Sequence, residues 1–250
     1  MYRRTIDGTI LDFGTTGALR DSNLLMYDRQ TESWWQEFGG EGVIGHYAGT
    51  KLEQLYLSIV SWADFKAAHP SGQVLSRPDS GRAYGQNPYA GYDRPGSQPF
   101  LFDGDEDPRL PAVERVVAVE LGGDAWAVSF TTLAEERVVS ASIAGDDIVV
   151  FWSPGTASAL DSGIVSRGRD VGAAGIFSPE GPDGNTLTFA PDAEGRIIDQ
   201  QTGSQWDIFG RAIGGPLQGA ELTPVPGRIG QLWFSWAVYR PDTVVYPGTP

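Results

Sequence analysis

The chain contains no cysteine. Disulfides, thiolate metal sites and cysteine nucleophiles are therefore excluded, and no redox compartment can be inferred. Histidine occurs only at His46 and His69, so a single copy cannot assemble a histidine-rich metal site. Lysine is nearly absent: Lys51 and Lys66 stand alone, and every other basic residue is arginine. No apolar run approaches the roughly 18–20 residues that a membrane helix needs. The opening "MYRRTIDGTILDFG" lacks the apolar stretch of a secretion signal, which leaves cellular location open. Also missing are a phosphate-cradling glycine loop with lysine, a zinc-type histidine pair on a helix, and a G-x-S-x-G elbow. "GRDVGAAG" (168–175) is rich in glycine without matching a dinucleotide fingerprint, and it reads as a turn.

What is present describes a folded chain. Its 250 residues are 40% hydrophobic and 11% aromatic, enough for one large domain or two small ones. Acidic residues number 32 against 18 basic, for a net charge of −14. Such a chain repels phosphate backbones, which argues against nucleic acid as a partner. An acidic, lysine-poor surface suits concentrated salt, where ordinary screening promotes association. A GC-rich genome that prefers arginine codons accounts for the same composition.

One phrase is written twice. "YDRQTESWWQEFGG" (27–40) returns as "IDQQTGSQWDIFGR" (198–211), aligning Asp28 with Asp199, Thr31 with Thr202, Ser33 with Ser204 and Trp35 with Trp206. Phe38 and Gly39 fall on Phe209 and Gly210. Upstream, "DGTILDF" (7–13) parallels "DGNTLTF" (183–189). Downstream, after a one-residue slip, Gly45, Gly49 and Leu52 meet Gly215, Gly219 and Leu222, and "SWA" recurs at 61–63 and 235–237. Ordered matches over this length point to an internal duplication. Each phrase reads as a hairpin: a short β-forming run, a polar turn, then a tryptophan-bearing strand. Aspartate at the turn entry can accept from backbone amides two residues on. Gly203 supplies a left-handed position that Glu32 occupies in the first copy, so the first turn is free to differ. Period two places Trp35 and Trp206 on one face, as core anchors in preference to ligand platforms.

The remainder predicts more short strands. "ERVVAVEL" (114–121) and "AWAVSF" (125–130) flank a "GGD" turn, and "VVSASIA" (138–144) and "IVVFW" (148–152) flank "GDD". "TTLAEER" (131–137) predicts a helix capped by Thr131 or Thr132, and "SWADFKAAHP" (61–70) one capped by Ser61 and closed by Pro70. The expected fold is mainly β, antiparallel sheets from a duplicated unit with a few short helices; α+β is the alternative. We expect residues 1–76 to form a first, incomplete unit, residues 113–250 a complete second one, and the whole to make one compact body. Residues 77–112 are rich in proline, glycine and tyrosine and form the connector, which its aromatics should dock on the surface.

These residues carry a resemblance. "FGTTGALRDSNLLMYDRQTESWWQEFGGEGVIG", "HPSGQVLSRP", "YGQNPYAGY", "ERVVAVELGGDAWAV" and "YRPDTVVY" resemble the uncharacterised family called domain of unknown function 3179, across nearly the whole chain. The resemblance implies no activity. Members usually have a fuller first unit, similar to residues 112–180 here. It follows that the first unit lacks its opening strands and that a partner chain or a missing N-terminal segment completes it. The family often carries a "CPxCGTA"-like segment; the comparable stretch here is "FWSPGTASALDS" (151–162), without cysteine.

Two functional readings remain. The first is a non-catalytic binding or interaction module, holding its ligand or partner on the aromatic connector or between the two copies. The second is an enzyme, metal-dependent in one form, built around His46 and nearby carboxylates. His46 departs from its counterpart Pro216, which can mark a site; His69, ending a helix, is explained by the helix dipole. Candidate ligand-binding residues are His46, Trp34, Arg29, Tyr84, Tyr89 and Tyr92. "DGDED" (103–107) alternates acids like a calcium loop, but Pro108 stands where such loops turn on glycine, and it reads as solvated. No catalytic residue, metal site or cofactor is assigned.

Overall fold

The computed structural model describes residues 1–79 and 81–247. A minimal hairpin of β1 (Thr5–Ile6) and β2 (Thr9–Ile10) opens the chain. β3 (Phe13–Arg20), β4 (Asn23–Asp28), β5 (Trp34–Gln36) and β6 (Glu41–Ile44) follow as a four-stranded antiparallel meander. α1 (Trp62–Ala68) is capped by Ser61, whose hydroxyl accepts from the Asp64 amide at 3.1 Å. Beyond the connector come the hairpin β7 (Arg115–Leu121) and β8 (Asp124–Ser129), then α2 (Phe130–Glu136). β9 (Val138–Ile143), β10 (Asp146–Ser153) and β11 (Ala173–Phe177) make a three-stranded sheet with β10 in the middle. β12 (Phe189–Pro191), β13 (Ile197–Asp199), β14 (Gln205–Trp206) and β15 (Ala212–Gly214) form a second meander. The chain then returns: β16 (Arg228–Leu232) pairs antiparallel with β7, α3 (Trp233–Ala237) follows, and β17 (Val244–Val245) lies parallel to β8. The fold is mainly β, with seventeen strands and three short α-helices among the described residues. No helix among them is long and apolar enough to cross a membrane.

Both "GGD" and "GDD" hairpins form where alternation placed them, and α1 carries its expected cap. Two elements differ from expectation. α2 begins at Phe130 and is capped by Ser129, which accepts from the Thr132 amide at 3.0 Å; a serine ending a strand went unread as a helix start. "GRDVGAAG" does not end as a turn, because Ala173–Phe177 is a wholly buried strand. Its small residues answer a packing need: a Cβ on Gly175 would stand 2.7 Å from the Ile208 carbonyl oxygen.

The two meanders carry matching interactions. Asp28 accepts from the Thr31 amide at 2.6 Å and from the Trp35 indole N–H at 3.0 Å; Asp199 accepts from Thr202 and Trp206 at the same distances. Asp28 accepts from the backbone of Gln30, two residues on, as well as from Thr31. The Asp12 amide donates to Gln30 and the Thr188 amide to Gln201, each at 3.0 Å. Phe13 meets Trp35 edge-on at 5.6 Å, as Phe189 meets Trp206. Trp35 and Trp206 are both core residues. Glu32 takes φ 56° and Gly203 φ 73°, so the first turn matches the second and places a side chain in the left-handed region. The slip falls earlier than the sequence placed it. Gly40 has positive φ under the Tyr2 ring and Gly210 has positive φ under the Phe177 ring, so Gly40 and not Gly39 stands opposite Gly210.

The match ends at the "SWA" segments. Ser61 caps an exposed helix, whereas Ser235 lies inside the buried α3; Trp62 is 52% exposed and Trp236 3%. Phe38 leaves the first meander to join the cluster of Trp233, Trp236, Val116 and Ala127, from α3, β7 and β8. Arg228 lies over the rings of Tyr2 and Phe38 and donates to the Tyr2 hydroxyl and the Phe38 carbonyl.

Candidate functional site

The residues singled out by sequence fall in three separate places. His46 is exposed, and its ring touches Tyr47 at 4.7 Å. Trp34 lies half-buried on the face of β5 opposite Trp35, paired across strands with Tyr27 and Ile44. Arg29 donates to the Tyr27 hydroxyl at 2.9 Å and pairs with Asp12 at 3.3 Å. On the connector, Phe100 gathers Tyr89 and Tyr92, at 5.8 and 5.0 Å, while Tyr84 lies under Arg77. Among the described residues no group of three or more histidines or acids is arranged to hold a metal. Asp103, Asp105 and Glu106 are exposed, and Asp107 pairs with Arg109 at 2.5 Å. His69 is the C-cap of α1 and packs on Phe65 and Phe209.

The chemistry concentrates instead beneath the connector, around a residue with no motif to announce it. Asp93, in "YDRPG", has a fully buried side chain. It accepts from Arg115 of β7 at 2.7 Å, from Arg169 at 3.0 Å and from the Ser158 hydroxyl at 2.6 Å. Burial raises the affinity of its carboxyl for a proton. The Ser158 bond and the two guanidiniums together outweigh that effect and hold it below the ordinary carboxylate value. Arg169 also binds Asp161, which its backbone N–H and guanidinium hold below the usual range. Backbone bonds extend the docking: Gly91 donates to the Leu160 carbonyl at 2.8 Å, Asn87 to Gly163 at 3.0 Å, and Val165 returns one to Gly85 at 2.9 Å. The connector is thus strapped to residues 158–165.

Two cavities adjoin, sharing Arg115, Phe130 and Val171 as walls, and the strap walls the larger of them. One, of about 330 Å³, is bounded by Asp93, Pro95, Glu114, Trp152, Arg169 and Asp170. The other, of about 210 Å³, is mostly apolar and is bounded by Ile59, Thr156, Leu160 and Ile229. Ile59 comes from the tail of the first meander, so this cavity lies between the two halves of the chain. Three buried polar atoms in these walls have no hydrogen-bond partner among the described residues: Arg115 Nε, Trp152 Nε1 and Thr156 Oγ1. Buried donors are seldom left unmade, because each unmade bond costs about 1–3 kcal/mol. Asp170, by contrast, is occupied by the amides of Gly155, Thr156 and Gly172. A wider cavity of about 570 Å³ lies between α1 and the second meander. Among its charged walls Asp207 pairs with Arg211 at 3.1 Å and Arg196 with Asp192 at 2.5 Å, while Asp64 and Glu221 form no ion pair among the described residues.

This arrangement sits inside a recognisable chain. The model of the family described as "Protein of unknown function (DUF3179)" matches residues 1–243. The chain belongs to that family. No curated protein and no solved structure matches it. In this DUF3179 chain the cysteine-free segment 151–162 contributes Trp152, Thr156 and Ser158 to the cavity walls. Sequence reading missed Asp93, Arg115 and Thr156. The one available signal was a charged residue inside "VERVVAVEL", where alternation calls for something apolar.

Proposed function

We propose that the protein is a non-catalytic binding module whose ligand sits under the connector, between the two halves of the chain. One observation carries this reading: two adjoining cavities share Arg115, Phe130 and Val171 as walls, and the larger of the pair is walled by a strap that a buried carboxylate pins down. The metal-assisted enzyme built on His46 has no observation in its favour, since that ring is exposed and touches an aromatic neighbour.

In the same reading the two meanders descend from one ancestral unit, arranged as residues 1–76, the connector 77–112 and residues 113–250. The repeated bonds of Asp28 and Asp199 support that descent. The first unit then has room for added strands from a partner chain or a further segment. Residues 56–60 pair with no strand among the described residues, although Tyr56 packs on Phe177 of β11, whereas β16 pairs with β7.

The test is a thermal-shift screen of small organic molecules against the native protein and Val171→Phe, which fills both cavities. Ligands of this site raise the melting temperature of the native protein and not of the variant. Hits that stabilise both proteins equally, or no hits at all, would overturn the reading.

A further inference from the structure

We infer that the smaller cavity takes the hydrocarbon end of a ligand, with no charged or hydrogen-bonding atom of that ligand inside the site. This rests on the binding-module reading and adds the ligand class. The walls carry polar atoms, but none is on offer. Arg115 spends its two Nη atoms on Asp93, Ser158 and the Gly230 carbonyl. The Ser158 hydroxyl donates to Asp93 and accepts from Arg115 and from the Leu160 amide. The Gly172 amide donates to Asp170. Arg115 Nε and Thr156 Oγ1 have no partner, but both are sealed from the surface of the wall. The charges are settled as well: Arg115 pairs with Asp93, and Arg169 with both Asp93 and Asp161. What meets a ligand is therefore the hydrocarbon of Ile59, Phe130, Leu160, Val171 and Ile229. A polar group drawn in would lose its hydration and gain no bond in return. An alkyl or aryl group gives up only unfavourable contact with water.

Volume sets the size of the group. A cavity of about 150 Å³ walled by Leu, Ile and Phe stays dry and holds benzene. In the same proportion about 210 Å³ holds about eight carbons. Ile59, Ala157 and Ala159 are exposed members of the wall and form its mouth. A head group carried by the ligand would stay in water beyond them.

Isothermal titration of straight-chain alcohols from butanol to decanol, of octanoate and of octyltrimethylammonium decides the matter, with the native protein, Ala159→Phe and Val171→Phe. Affinity for the alcohols should rise about fourfold with each methylene, the worth of burying one, and level off near octanol. Ala159 walls only the smaller cavity, so Ala159→Phe should abolish octanol binding at an unchanged melting temperature. Octanoate and octyltrimethylammonium binding about as well as octanol would support a tail whose head stays outside. Loss of both, with octanol retained, would support a neutral molecule held whole. Octanoate binding tenfold more tightly than octanol and the cation would overturn the inference, as would affinity still climbing at decanol. Octanol binding that survives Ala159→Phe overturns it too; if Val171→Phe then abolishes that binding, the ligand belongs to the larger cavity and the module reading stands. Binding of no alcohol also sinks it, and the thermal-shift screen then separately decides the broader reading.

Discussion

A carboxylate buried away from water persists only where hydrogen-bond donors outweigh the hydration it has lost. Asp28 and Asp199 meet that condition in the same way. Burial pushes each carboxyl up, but the tryptophan indole, the threonine amide and the threonine hydroxyl together hold it below the ordinary value. A native pKa below the unfolded one contributes stability that is complete above about pH 4 and is lost as pH falls through the native value. Asp28→Asn or Asp199→Asn should therefore cost about 2–3 kcal/mol at pH 7, the worth of a hydrogen bond to a charged group. Urea titrations should find that difference constant above pH 5 and shrinking below pH 4; a difference independent of pH would refute the assignment. Gln36 is the opposite case. Both its amide atoms are buried without a partner among the described residues. Gln36→Met should raise stability by about 1 kcal/mol, because it removes two unmet polar groups at nearly constant volume.

The twin turns permit a controlled comparison between elements. Glu32 and Gly203 hold the same left-handed conformation, which costs a side-chain-bearing residue about 1–2 kcal/mol. Glycine in its place loses part of that gain to the freedom of the unfolded chain. Glu32→Gly should then stabilise by about 0.5–1 kcal/mol, and Gly203→Glu should destabilise by a similar amount; equal and null effects would mean that the turns relax differently. The hairpins and α1 were legible because period-two alternation, two-residue glycine turns and a serine cap are local signals. β11 was not, since the small residues that close packing requires look like turn residues. The anchor of residues 77–112 was not legible, and the aromatics that drew attention there, Tyr84, Tyr89 and Phe100, are exposed. Asp93 matters through Arg115, Arg169 and Ser158, which lie far from it in sequence. Asp93→Asn leaves Arg115 without a counter-charge and Arg169 with Asp161 alone, and should cost about 3–5 kcal/mol. Limited proteolysis should then cut within residues 85–97 before the rest of the chain; protection equal to that of the native protein would remove Asp93 as the anchor.

At the scale of the molecule, the question is whether the two halves fold as one body. The matching bonds of the two meanders were legible because a pattern of Asp, Thr, Ser and Trp recurs in order. The packing between halves was not, since nothing in sequence distinguishes Phe38, which leaves its own meander for the cluster of Trp233 and Trp236, from Phe209, which stays beside His69 and Arg211. The cavity walls were equally invisible, being drawn from residue 59, residue 115 and residues 156–172. Phe38 is 4% exposed, stacks on Tyr239 at 4.5 Å and lies under Arg228 and Arg240. Removing a buried phenylalanine ring costs about 3–5 kcal/mol, and here the loss falls on the seam. The native protein should unfold in one transition by both far-ultraviolet circular dichroism and tryptophan fluorescence. Phe38→Ala should separate the two signals, with the half containing Trp35 melting first, since it owns the smaller apolar cluster, Leu11, Trp35 and Leu52. A variant that still melts in one coincident step would mean that the connector and the strap at Asp93, rather than this seam, make the chain cooperative.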